Sequence, residues 1–135
     1  MDASAVNWLA VIVATLVFYA IGGLWYSPVL FGNAWMKEVG LTKEDARKAN
    51  MTKIMLITCL LSLIMVTNLA FFLNDPKINA GSGALYGFLT GFGWVAMSIA
   101  LMALYEMRSL KYILINAGYV TVGFTVAGLI LGAWK

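Results

Sequence analysis

Four long apolar stretches, separated by shorter polar breaks, organise the chain. They run at about Val6–Tyr26, Lys53–Leu73, Gly81–Tyr105 and Tyr112–Trp134, each near the ~20 residues an α-helix needs to cross ~30 Å of hydrocarbon. No charged residue lies inside the apolar core of any of them. The pattern predicts an all-α fold: a polytopic membrane protein, four transmembrane helices in an antiparallel bundle, with residues 1–135 forming a single integral membrane domain. The first stretch has no basic leader, carries only Asp2 ahead of it and ends in Trp25-Tyr26. It therefore reads as a retained helix and not as a signal peptide.

The pattern changes between Pro28 and Lys53. Asn33 is a candidate cap for a short helix, Ala34–Val39, which Gly40 would end in a left-handed conformation. Phe31, Trp35, Met36 and Val39 then rest in the membrane surface while Lys37 and Glu38 face water, which makes the segment an amphipathic interfacial helix. Thr42 reads as a second cap, with Glu44 and Asp45 in the first turn after it. No breaker follows, so one long helix is expected from Lys43 to Leu73. The interfacial piece reads first as the element that fixes the angle of the second span, and second as a gate or docking site. Asn74-Asp75-Pro76 is a turn, Asn79 or Ser82 caps the third helix, and the short segment Glu106–Lys111 makes the third and fourth spans antiparallel neighbours.

Charge orients these spans. Lys37, Lys43, Arg47, Lys48, Lys53, Arg108 and Lys111, seven of the nine basic residues, fall in or beside the first and third loops, leaving Lys77 and Lys135 for the other side. Basic loops stay in the cytoplasm, so both termini are expected to be external, in a bacterial inner membrane. Trp8, Trp25, Tyr26, Trp35, Tyr105, Tyr112 and Trp134 lie near span ends, as an interfacial aromatic belt requires. The net charge of +3 belongs to this topology signal and not to nucleic-acid binding.

Composition removes other classes. Hydrophobic residues are 62% and charged residues 11% of the chain, against about 45–50% and 25% in soluble domains. Without histidine, and with Cys59 alone, there is no His-ligated metal, no Ser-His-Asp triad and no CxxC redox pair. No catalytic residue, metal site or cofactor is expected. A first helix without an acid departs from small multidrug transporters, and the charge bias conflicts with the dual topology of fluoride channels.

Small residues line two helix faces. Gly83, Gly87 and Gly91 form a doubled GxxxG, with Trp94 and Ser98 continuing that side. Gly118, Thr121, Thr125, Gly128 and Gly132 form a second stripe, with Asn116, Gly123 and Ala127 opposite it. A helix with two small-residue faces needs close neighbours on both, which suggests a homo-oligomer assembled through these glycines. In the second span Met51, Met55, Thr58, Ser62 and Met65 share a stripe facing the bundle. Among the immersed polar residues, Asn7 and Asn68 are candidate partners, and Asn116 lies near Glu106 and Arg108. An unsatisfied amide in hydrocarbon costs several kcal/mol, so each should bond another helix.

Several runs carry a family likeness. Asn7-Trp8-Leu9-Ala10-Val11, Gly23-Leu24-Trp25-Tyr26-Ser27-Pro28, Leu30-Phe31-Gly32, Trp35-Met36 and Gly40-Leu41-Thr42 resemble an uncharacterised family of small bacterial membrane proteins, a domain of unknown function numbered seventeen-sixty-one. Leu114-Ile115-Asn116-Ala117-Gly118-Tyr119 and Gly128 with Gly132-Ala133-Trp134 are similar to its last helix. The resemblance implies four inner-membrane spans and no activity. The residues themselves favour a small channel or carrier for a solute or ion, working as a homo-oligomer, with Asn7, Trp25, Ser62, Asn68 and Asn116 as its binding residues. The alternative is a non-catalytic accessory or scaffold subunit. In that reading the first loop recruits a protein partner, and the lipid bilayer is the common surrounding of both.

Overall fold

A computed structural model describes residues 2–135. Its main helices are α1 (Trp8–Trp25), α2 (Gly32–Val39), α3 (Lys43–Lys48), α4 (Met51–Phe72), α5 (Ala80–Tyr105) and α6 (Leu110–Ala133). Among the described residues there is no strand. Helices α1, α4, α5 and α6 are each long and apolar enough to cross a membrane, so the chain is a multi-pass membrane protein.

Every spanning helix begins on a short polar side chain that accepts from a backbone N–H three residues on: Asn7 from Ala10, Asn50 from Lys53, Asn79 from Ser82 and Ser109 from Tyr112. The first N–H groups of a helix have no partner inside it, and near hydrocarbon little water is present to serve them. Asn79 and Ser82 bond reciprocally, and so do Thr42 and Asp45 at the start of α3. The Thr42 backbone N–H, then its hydroxyl, hold the Asp45 carboxyl below its ordinary range. That contribution is present above the ordinary carboxylate pKa and is lost as pH falls through the lowered one.

Two expectations for the first loop need correction. The short helix starts at Gly32, not Ala34, and Asn33 caps nothing. Its N-cap is Phe31, because backbone bonds from Leu30 and Gly32 to the Ser27 carbonyl and from Phe31 to Trp25 already turn the chain into the helix. A side chain at Gly32 would collide with the backbone of Tyr26 and Ser27. The single helix from Lys43 to Leu73 is also interrupted. Ala49 is extended, with ψ 144, and Asn50 starts a fresh helix. An asparagine side chain competes for backbone N–H groups, and α3 is exposed along its whole length, so no packing opposes the break.

Two helices end on left-handed residues. At Gly40 (φ 75) the N–H groups of Gly40 and Leu41 return to the Lys37 and Met36 carbonyls, as expected of that glycine. After α5 the same closure forms with Met107 and Arg108 bonding to Leu104 and Ala103, although Met107 (φ 57) is no glycine. A side chain in this conformation costs roughly 1–2 kcal/mol.

Helix α6 is the centre of the packing, with α5 against one side and α1 against another, while α4 leans mainly on α1. Asn7 meets Trp134 and Trp25 meets Ile115, so α1 and α6 run antiparallel, and both described ends of the chain lie at one end of the molecule. The core is built from Ala10, Val11, Ala14 and Phe18 of α1, Val66 and Leu69 of α4, and Val120, Phe124 and Ala127 of α6. Phe18, Val11 and Val66 are the largest wholly buried side chains.

The glycine stripes face each other inside one chain. A methyl group at Gly83 or Gly87 would overlap the carbonyl oxygens of Gly128 and Phe124, and one at Gly128 or Gly132 those of Gly83 and Asn79. The stripe does not continue to Trp94 and Ser98. Residues Gly91–Ala96 are π-helical, and the extra residue per turn brings Ala96 (0% exposed) inward and sends Trp94 (79% exposed) out to the lipid side. Buried contact therefore passes from Gly83, Gly87 and Gly91 to Ala96 and Ala103. Gly118 leaves its stripe as well, since it faces the Trp25 ring. Thr121 and Thr125 bond back to the carbonyls of Ala117 and Thr121. In α4, Met51 and Met55 are exposed, so only the Ser62 end of that stripe points inward.

Gly87→Val should lower stability by about 3 kcal/mol through overpacking, read as a fall in the melting temperature of the detergent-solubilised protein. Gly23→Ala, where an added methyl meets nothing within 4 Å, should not. Met107→Gly should raise stability by about 1 kcal/mol in the same measurement.

Candidate functional site

The residues with the most shared polar and aromatic contact gather where α1 ends and α6 begins, at the end carrying the first and third loops. Small residues on one helix make room for large ones on the other. A Cβ at Gly22 would sit 2.8 Å from the Tyr119 hydroxyl, one at Gly118 would sit 2.9 Å from the Trp25 ring, and one at Gly123 would sit 2.7 Å from Phe18. Into these spaces the aromatic side chains pack edge to face. Tyr119 meets Phe18 at 5.4 Å and Tyr26 at 5.5 Å between ring centroids, and Tyr26 meets Trp35 of α2 at 5.2 Å. Trp25 lies against Phe31 at 4.8 Å.

Hydrogen bonds fix the cluster. The Trp25 indole N–H donates to the Ile115 carbonyl at 2.8 Å, and the Tyr26 hydroxyl donates to Asn116 Oδ1. Ser62, 3% exposed, lies beside the Tyr119 hydroxyl and donates to the Thr58 carbonyl at 2.8 Å. Glu38 of α2 accepts from the Ser109 hydroxyl at 2.8 Å, so it is not simply a water-facing charge. The end of α1 and the first loop are thus fastened to the start of α6 by three separate side-chain bonds.

Of the five binding residues expected from the sequence, Trp25, Ser62 and Asn116 come together here. They do so through Tyr26 and Tyr119, whose local sequence marks only a belt residue and members of the family runs. Their signal was the spacing of Asn116 and Tyr119, which puts both on one side of a helix. Asn7 and Asn68 belong elsewhere and do not pair. Asn7 caps α1 and donates to the Trp134 carbonyl at 3.3 Å, whereas Asn68 is exposed and donates to the Ile64 carbonyl of its own helix at 2.8 Å. Nor does Asn116 engage Glu106 or Arg108. Those two pair with each other at 3.5 Å, and Arg108 covers the Tyr112 ring at 5.3 Å.

Two cavities matter. At the end holding both termini, one of about 20 Å³ is lined by Asn7, Ala10, Leu73, Asn74, Trp134 and Lys135, among others, room for about one water molecule. Beside it the Lys135 ammonium donates to the Leu73 carbonyl, and burial lowers its pKa against the opposing pull of Asp75. At the loop-bearing end an open apolar groove of about 420 Å³ runs between Trp25 and Phe31 on one wall and Leu110, Lys111, Leu114 and Ile115 on the other. Among the described residues no three His, Cys, Asp or Glu side chains converge as metal ligands would. The cluster supplies a rigid aromatic surface with its polar groups already engaged.

Residues 9–132 match a protein family described as "Protein of unknown function (DUF1761)". The chain belongs to that family. The DUF1761 match covers the Trp25–Trp35 segment and the Asn116–Tyr119 turn of α6 alike, so the two halves of the cluster lie inside the family's extent. No curated protein and no solved structure matches the chain.

A double-mutant cycle of Tyr26→Phe and Asn116→Leu should give a coupling of about 1 kcal/mol, in the range of interhelical hydrogen bonds in membranes. Asn68→Leu, which removes only a bond within its own helix, should change stability by less than about 0.5 kcal/mol.

Proposed function

We infer that this protein is a non-catalytic accessory or scaffold protein of the membrane, which presents its first loop to a protein partner. The observation that carries the reading is the fastening of that loop. Trp25 to Ile115 and Tyr26 to Asn116 anchor the point where the loop leaves α1, and Glu38 to Ser109 holds α2, so a segment that no membrane crossing requires is tied to α6 at both ends. Ordering such a segment costs roughly 1–2 kcal/mol per residue in backbone entropy, and a rigid platform lowers the cost of binding something else. Beyond it α3 displays Lys43, Glu44, Asp45, Arg47 and Lys48, all exposed, a mixed-charge surface suited to a polar partner. The positive-inside bias would put this platform in the cytoplasm.

The channel or carrier reading draws less support. The centre of the chain is filled by Phe18, Val11, Val66 and Phe124. Buried Thr15 and Ser62 spend their hydroxyls on carbonyls one turn back, and the two cavities described above lie toward the ends of the spans. The glycine faces are occupied within the chain, so they no longer argue for a second copy.

A photo-crosslinking residue at Arg47 should give one discrete protein adduct in cells, lost when Lys43→Glu and Lys48→Glu replace the platform's remaining basic residues with acids, while the same probe at Lys77 gives none. Liposomes holding the purified protein should leak ions and small solutes no faster than empty ones. Flux that Asn116→Leu abolishes would overturn the reading in favour of transport.

A further inference from the structure

We propose that the groove between the first loop and the start of α6 holds an anionic phospholipid, its phosphate at Lys111 and one acyl chain along Leu114 and Ile115. Its volume of about 420 Å³ falls within the ~300–1,000 Å³ of small-molecule sites. Its walls are almost wholly apolar: Trp25, Phe31, Leu110, Leu114 and Ile115. The one polar atom of the Trp25 ring is spent on the Ile115 carbonyl, so that wall presents only its apolar face. A single charge stands at the rim. Lys111 is exposed and takes part in neither of the ion pairs among the described residues, Lys48 with Glu44 and Arg108 with Glu106.

Direction distinguishes a lipid from other amphipathic occupants. Lys111 lies in the first turn of α6 and Leu114 and Ile115 lie one turn deeper toward the span centre. The charge is therefore at the membrane surface and the apolar wall runs inward from it, in the order of headgroup and chain in a bilayer leaflet. Among the described residues no carboxylate pairs with the lysine: Glu106 is held by Arg108 and Glu38 makes no ion pair. The Ser109 side chain serves the Tyr112 N–H and its carbonyl serves Ile113. The N–H groups of Leu110 and Lys111, at the positive end of the helix, add to the attraction for a phosphate. This inference concerns a different surface from the α3 platform and stands or falls apart from it.

Native mass spectrometry of the detergent-purified protein with added lipid tests it. Phosphatidylglycerol should be retained about fivefold more strongly than phosphatidylcholine, the worth of one basic residue at an anionic surface. Lys111→Gln should remove that preference and Lys77→Gln, at the opposite end, should keep it. Leu114→Trp, filling the groove, should weaken retention of both lipids, with the circular dichroism and melting temperature of each variant checking that the fold survives. Soluble glycerol phosphate should displace neither lipid. Equal retention of the two lipids, or a preference indifferent to Lys111→Gln, would overturn the proposal. Displacement by glycerol phosphate would make the groove a free-anion site, and disulfide-linked chains from Leu114→Cys in membranes would make it a contact between copies; either result rejects the lipid.

Discussion

Helix backbones in this structure touch where Gly83, Gly87, Gly128 and Gly132 lack side chains, and that contact sets how α5 lies on α6, the helix on which the rest of the packing centres. Within hydrocarbon, burying apolar surface between helices gains little, because lipid tails are as apolar as leucine. Association then depends on how many atoms come into van der Waals range and on weak Cα–H···O contacts, both of which need close approach. With carbonyls of α6 lying where α5 side chains would otherwise stand, the two helices are committed to one register. The π-helical stretch at Gly91–Ala96 extends it. A regular helix would carry its small-residue stripe off the partner by Ala96, and one widened turn returns that residue to the interface.

The other side of α6 uses the opposite solution to the same constraint. Gly118 and Gly123 accept the large rings of Trp25 and Phe18, so small-to-large packing holds α1 where backbone contact holds α5. Helix α4 has neither device. Its first turns are exposed and it meets the rest chiefly from Ser62 onward. The asymmetry explains why α6 needs small residues on two faces without any second copy to occupy one of them.

The four spans were legible in the sequence because charge exclusion and length are long-range signals averaged over about twenty residues. Gly40 and the Thr42 cap were legible because each acts through its own backbone. The family was legible from the Trp25–Trp35 spacing. What escaped were features decided by tertiary contact. The break at Ala49 depends on nothing packing against α3, and the π turn depends on what α6 offers opposite Ala96. Asn7 and Asn68 were matched by depth alone, yet each found a carbonyl closer at hand. Tyr26 and Tyr119 were hidden for a related reason: an aromatic near a span end has the same local pattern whether it faces lipid headgroups or a neighbouring helix.

Polar side chains within the spans are few, and their partners explain where binding can occur. Thr15, Ser62, Asn68, Thr90, Ser98, Thr121 and Thr125 all donate to carbonyls three or four residues back, the cheapest way to satisfy a hydroxyl or amide where water is scarce. A group so engaged is poorly placed to receive a solute, because the solute must repay the bond it displaces. At the loop-bearing end the balance differs. There the Tyr26 and Trp25 bonds hold the end of α1 against α6, beside an apolar wall and a lysine that no described carboxylate pairs. The core between the spans is filled, and an opening between them would cost the packing that aligns this edge.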